Sequence, residues 1–72
     1  MEKPGVIKVN GQNEPLGAEK TLEALLAEKA VDTGQRGIAV AVNGAVVPRA
    51  AWPATPLRPG DCVEIVRARQ GG

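Results

Sequence analysis

Few side chains in this 72-residue chain are equipped for chemistry. There is no histidine, tyrosine or phenylalanine, and Cys62 is the single cysteine, so a histidine-based triad, a cysteine-rich metal site and a disulfide framework within the chain are excluded. Cys62 has no histidine to activate it and no adjacent lysine, and it is expected to be inert. What remains is the end of the chain, Arg69-Gln70-Gly71-Gly72, with its carboxylate. Glycine has no side chain and takes φ of either sign, so two in succession make a thin, flexible tail that a fold does not itself require. A frayed terminus is the plain alternative. A carboxylate is stable in water, but conversion to an acyl-adenylate supplies a good leaving group and splits a hard displacement into two easier steps. The chain contains neither a glycine-rich phosphate loop leading into a helix nor a metal cluster, so a partner would have to bring the nucleotide and the charge stabilisation. Residues 68–72 span at most about 18 Å when extended, enough to enter a buried site while the body docks outside. Side chains at positions 71 or 72 would obstruct that entry.

The elements that must hold out this tail are small and aliphatic. Apolar residues make up 43% of the chain, nearly all of them alanine, valine, leucine and isoleucine, and Trp52 is the only aromatic. Charged residues are 24%, near the roughly 25% of globular domains, so the chain is expected to fold as one domain. Nine basic and eight acidic side chains leave a net charge of +1. That balance, without surface rings for stacking, argues against a nucleic-acid module and towards a protein partner. No apolar run approaches the ~18 residues of a membrane span. Met1-Glu2-Lys3-Pro4-Gly5 lacks a secretory apolar stretch, and an unpaired cysteine suits a reducing compartment, so a soluble cytoplasmic protein is expected.

Along the chain, Val6-Ile7-Lys8-Val9 is followed by Asn10-Gly11, a dipeptide suited to the positive φ of a type I′ turn, and predicts a hairpin. Its second arm, Gln12 to Leu16, contains Pro15 and belongs at a sheet edge. Leu22, Leu25, Leu26 and Ala30 make an apolar helical stripe over 22–30, with Thr21 as N-cap and Glu23 in the first turn. Glu19, Glu23 and Glu28 read as its solvated face. Ile38 to Val42, Asn43-Gly44 and Ala45 to Val47 predict a second hairpin, stopped by Pro48. From Pro48 to Gly60 the reading is an ordered crossing loop anchored by Trp52 and Leu57, ended by the turn Pro59-Gly60-Asp61. The last strand runs from Cys62 to Ala68. The order ββαβββ gives an α+β fold, a four-to-five-stranded mixed sheet with one helix across one face. Pairing the first and last strands in parallel at the centre joins the two hairpins and makes a β-grasp.

The chain resembles the ThiS family of sulfur carriers of thiamine biosynthesis. The resemblance rests on Ile7-Lys8-Val9-Asn10-Gly11, Thr21-Leu22-Glu23-Ala24-Leu25-Leu26, Ala39-Val40-Ala41-Val42-Asn43-Gly44, Val47-Pro48-Arg49 with Trp52, Gly60-Asp61-Cys62-Val63-Glu64-Ile65 and Gly71-Gly72. The order of these pieces is the specific signal, and Cys62, Ala45 and the proline-rich crossing segment are local variation. The resemblance implies a ubiquitin-like β-grasp domain over 1–68 and a flexible tail over 69–72. It implies a co-substrate of partner enzymes and no bound cofactor or metal. In the family, an E1-like ThiF enzyme uses ATP to adenylate the carboxylate of the residue matching Gly72, and sulfur from a cysteine-desulfurase persulfide then displaces AMP. The thiocarboxylate delivers sulfur to thiazole synthase, ThiG. Other β-grasp carriers, such as the molybdopterin synthase small subunit or a carrier for sulfur-amino-acid synthesis, share such a tail, as does a ubiquitin-like interaction or conjugation module.

Alternation puts Val66, Ala39 and Ala41 on the sheet face opposite Ile38, Val40, Val42, Val63 and Ile65. They read either as a docking surface for ThiF or as scattered exposure. Arg67 and Arg69 either steer the tail towards an acidic or phosphate-bearing entrance or are ordinary solvent-facing arginines. Trp52 is expected to anchor the crossing loop rather than to touch a partner.

Overall fold

The computed structural model describes residues 5–16, 20–29, 31 and 37–67. Strands β1 (Gly5–Val9) and β2 (Gln12–Leu16) form the first hairpin, helix α1 covers Leu22–Glu28, and β3 (Ile38–Val42) and β4 (Ala45–Val47) form the second hairpin. A 3₁₀ helix over Arg49–Ala54 precedes the last strand, β5 (Cys62–Arg67). The sheet order is β2-β1-β5-β3-β4. β1 and β5 are parallel, with Lys8 opposite Cys62 and Val9 opposite Val63, while β5 pairs antiparallel with β3 from Val42↔Val63 to Ile38↔Arg67. The expected central parallel join is therefore present, and the arrangement is the β-grasp.

Local chemistry explains each element. Asn10 and Asn43 take φ of 51° and 53°, followed by Gly11 and Gly44 at 85° and 84°, the left-handed pair that a type I′ hairpin turn requires. Pro15 lies in β2, at the sheet edge, where its missing N–H costs no ladder bond. The helix begins as its sequence predicts: Thr21 Oγ1 accepts from the Ala24 N–H at 3.2 Å, satisfying one of the orphan donors of the first turn. A second orphan, the Leu22 N–H, donates to the Thr55 carbonyl at 2.7 Å. The expected helical residue Ala30 and the expected strand residue Ala68 lie outside the described residues.

Leu22, Leu25 and Leu26 are buried against Ile7, Val9, Leu16, Val40 and Val63 on one face of the sheet. Burying each leucine contributes roughly 1.5–3 kcal/mol, so this stripe, rather than the intrinsic propensity of a seven-residue helix, holds α1 in place. Trp52 and Leu57 close the same core at 2% and 3% exposure, as anchors of the segment from Pro48 to Gly60. The segment is more regular than the expected loop. Its 3₁₀ helix contains Pro53 and is fastened by Ala51 N–H to the Pro48 carbonyl at 2.8 Å and by Trp52 Nε1 to the Val47 carbonyl at 2.9 Å. The Leu57 N–H reaches the Lys20 carbonyl at 2.9 Å, tying the segment to the start of α1. The chain then turns at Gly60, φ 91°, where Asp61 N–H closes on the Arg58 carbonyl at 3.1 Å. Of the glutamates read as the solvated helix face, Glu28 pairs with Lys20 and Glu19 lies outside the described residues; Glu14 on β2 pairs with Lys29.

Candidate functional site

The site that the sequence points to is the end of the chain, and the structure shows what leads to it. β5 lies at the centre of the sheet with β1 on one side and β3 on the other. Its pairing with β3 continues to Arg67, whereas its pairing with β1 stops at Val63. Arg69, Gln70, Gly71 and Gly72 lie outside the described residues, and β5 is the element that supplies their point of departure.

Two surfaces flank that point. On the sheet face away from α1, Val66 is 60% exposed and stands opposite Ala39, also exposed. Half-buried Ala41 sits between Glu64 on β5 and Val46 on β4. Alternation thus placed Val66, Ala39 and Ala41 together correctly. Val46, 74% exposed, belongs to the same patch and was missed. Its strand is only three residues long, and its membership follows from the β3–β4 register rather than from any feature of its own sequence. Arg67 faces the other way. With Val9, Asn10, Gln12, Glu14, Lys29, Val31 and Ile65 it lines a groove of about 480 Å³ where β5 emerges beyond β1. The Glu14–Lys29 ion pair stands on that groove's wall. The arginine and the apolar patch are therefore on opposite sides of the strand that carries the tail.

Cys62 is exposed, at the first residue of β5. The parallel register puts Lys8 opposite it, a neighbour that linear spacing does not show. Among the described residues, no group of three or more histidine, cysteine, aspartate or glutamate side chains could hold a metal ion. No helix among them is long and apolar enough to cross a membrane. Trp52 is buried and bonded inward, consistent with an anchor of the crossing segment.

Comparison with known proteins bears directly on this arrangement. The model of the ThiS family matches residues 7–72. The sulfur carrier protein ThiS of Thermus thermophilus is 39% identical over 67 residues, 93% of this chain and 100% of that protein. A thiazole synthase of Paramagnetospirillum magneticum is 38% identical over 64 residues; they are 89% of this chain, which spans only 19% of that protein's length. The crystal structure of the thiamine biosynthesis protein ThiS from Geobacter metallireducens superposes with a TM-score of 0.77 at 32% identity, covering 93% of this chain and 99% of that one. The solution structure of a thiamine biosynthesis protein from the same organism gives a TM-score of 0.77 at 29% identity, over 93% and 87% of the two chains. With the family match running through nearly the whole chain and the same fold in its solved relatives, the chain belongs to the ThiS family.

Proposed function

We propose that the chain is a sulfur carrier of thiamine biosynthesis and that the carboxylate of Gly72 is its reactive group. The observation that carries this reading is the match to a ThiS sulfur carrier over that protein's entire length, joined to a central strand that runs out towards the tail. A ThiF-type enzyme brings the ATP. The carboxylate attacks the α-phosphorus, pyrophosphate leaves, and the acyl-adenylate forms. A persulfide sulfur derived from a cysteine desulfurase displaces AMP, and a thiol reduces the resulting acyl disulfide to free the thiocarboxylate. Thiazole synthase is the acceptor. The carrier acts as a co-substrate in the cytoplasm, with the nucleotide held by its partner.

Residues 1–68 serve as the docking body and 69–72 as the tail. Val66, Ala39 and Ala41, with Val46 beside them, offer an apolar surface on which an activating enzyme can seat the domain. Arg67 and Arg69 supply positive charge at the root of the tail, where an ATP-bearing entrance is negative. Gln70 and Gly71 thread the narrow approach, and the absence of a side chain at Gly71 lets it pass.

Incubation with a ThiF-type enzyme, ATP and a sulfur donor tests the reading. Intact mass should show one terminal oxygen replaced by sulfur, and thiazole synthase should consume that product. An unchanged mass under conditions where a known carrier is converted would sink the proposal.

A further inference from the structure

Both hairpins end in Asn-Gly, and both asparagines do more than turn the chain. At each, the backbone N–H still bonds β5: Asn10 to the Val63 carbonyl at 2.9 Å, and Asn43 to the Cys62 carbonyl at 2.7 Å. In an uninterrupted ladder the asparagine's own carbonyl would accept the return bond. Here the backbone has entered the left-handed region, φ 51° at Asn10 and 53° at Asn43, and the side-chain carbonyl takes its place. The Ile65 N–H donates to Asn10 Oδ1 at 2.8 Å, and the Cys62 N–H to Asn43 Oδ1 at 2.9 Å. Each carboxamide extends its ladder by one bond past the point where the neighbouring strand leaves.

The two grips differ in what lies beyond them. Asn43 holds the first residue of β5, and its Nδ2 also donates to Asp61 Oδ1 at 3.0 Å. Asn10 holds Ile65, beyond the last β1–β5 strand pair, Val9↔Val63, and two residues before β5 ends at Arg67. From there β3 continues beside β5, and on the other side the Asn10 carboxamide steadies the strand at the groove. The geometry points to Asn10 as a positioning residue for delivery of the tail. By fixing the Ile65 amide it sets the course of the last residues of β5, from which the chain continues in sequence to Gly72. This deepens the sulfur-carrier reading and rests on it. Asn10 touches no reacting atom. Its effect falls on how often the terminal carboxylate reaches attack geometry, not on docking of the domain.

Three variants separate this role from a merely structural one. Asn10→Gly keeps a residue at ease at positive φ and deletes the acceptor; Asn10→Asp keeps an acceptor and tolerates the same backbone. Asn43→Gly deletes the equivalent bond at the far end of β5, together with the Nδ2 bond to Asp61. With a ThiF-type enzyme and ATP, Asn10→Gly should lower kcat for adenylation about tenfold with KM within about twofold of wild type. Amide exchange at Ile65 should quicken in the same variant. Asn10→Asp should restore both readouts, and Asn43→Gly should keep wild-type kcat although its loss of Tm is at least as large as that of Asn10→Gly. An Asn10→Gly protein with wild-type kcat, or an Asn43→Gly protein that loses as much, overturns the positioning role alone. A wild-type chain that is never adenylated overturns the carrier reading and this inference with it.

Discussion

Trp52 shows how much a small core asks of one residue. It is the chain's only aromatic, it is 2% exposed, its Nε1 donates to the Val47 carbonyl, and the Arg49 guanidinium lies 5.0 Å from its ring centroid. Trp52→Phe keeps most of the volume and removes the donor, so it should cost about 1 kcal/mol in urea unfolding. Trp52→Ala should cost about 3–5 kcal/mol, comparable to what the core of so small a domain supplies, and circular dichroism should show a largely unfolded chain. At the opposite extreme, Gly71→Val should leave Tm unchanged and sharply reduce thiocarboxylate yield in the mass assay, because the added side chain burdens entry rather than folding. The buried role of Trp52 was legible in the sequence, since a lone aromatic among prolines has little else to do. The grips of Asn10 and Asn43 on β5 were not, and neither was the placement of Lys8 beside Cys62. Each depends on strand register, and Asn-Gly looks the same whether or not its carboxamide finds a distant amide.

Among the elements, those with a strong local rule were legible and those built by tertiary contact were not. The two hairpins follow from Asn-Gly between β-branched runs, and α1 follows from its leucine spacing and its cap. Thr21→Ala should therefore lower stability by about 1 kcal/mol, read as a shift in urea midpoint at constant m-value. The 3₁₀ helix over Arg49–Ala54 has prolines on and around it and no apolar period. It exists because Trp52 is drawn into the core and the backbone tightens to follow. The uncovered sheet face was half legible: alternation supplies Val66, Ala39 and Ala41, but only pairing adds Val46. If that face seats the activating enzyme, the double variant Val46→Asp and Val66→Asp should stay folded, because both positions are exposed, while KM for the carrier rises about tenfold or more. An unchanged KM would remove the patch from the docking surface.

For the whole molecule, the sheet order sets a division of labour. One face carries the helix and the core, the other is left open, and β5, the last of the described strands, lies between the two hairpins. The two ion pairs among the described residues, Lys20–Glu28 and Lys29–Glu14, involve partly exposed groups, so each contributes about 1 kcal/mol or less. Replacing Lys29 by Met should change unfolding free energy by no more than that. The β-grasp order was legible because two hairpins leave their last strand one sensible place, the centre. That place also governs the timing of synthesis. The strand at the middle of the sheet is the last of the described strands to be made, so until residues 62–67 have left the ribosome the two hairpins meet only through the core beneath α1 and lack the strand that pairs with both. A chain stopped at residue 61 should remain unstructured and open to proteases. A fully paired sheet is therefore one whose synthesis has already reached the end of β5.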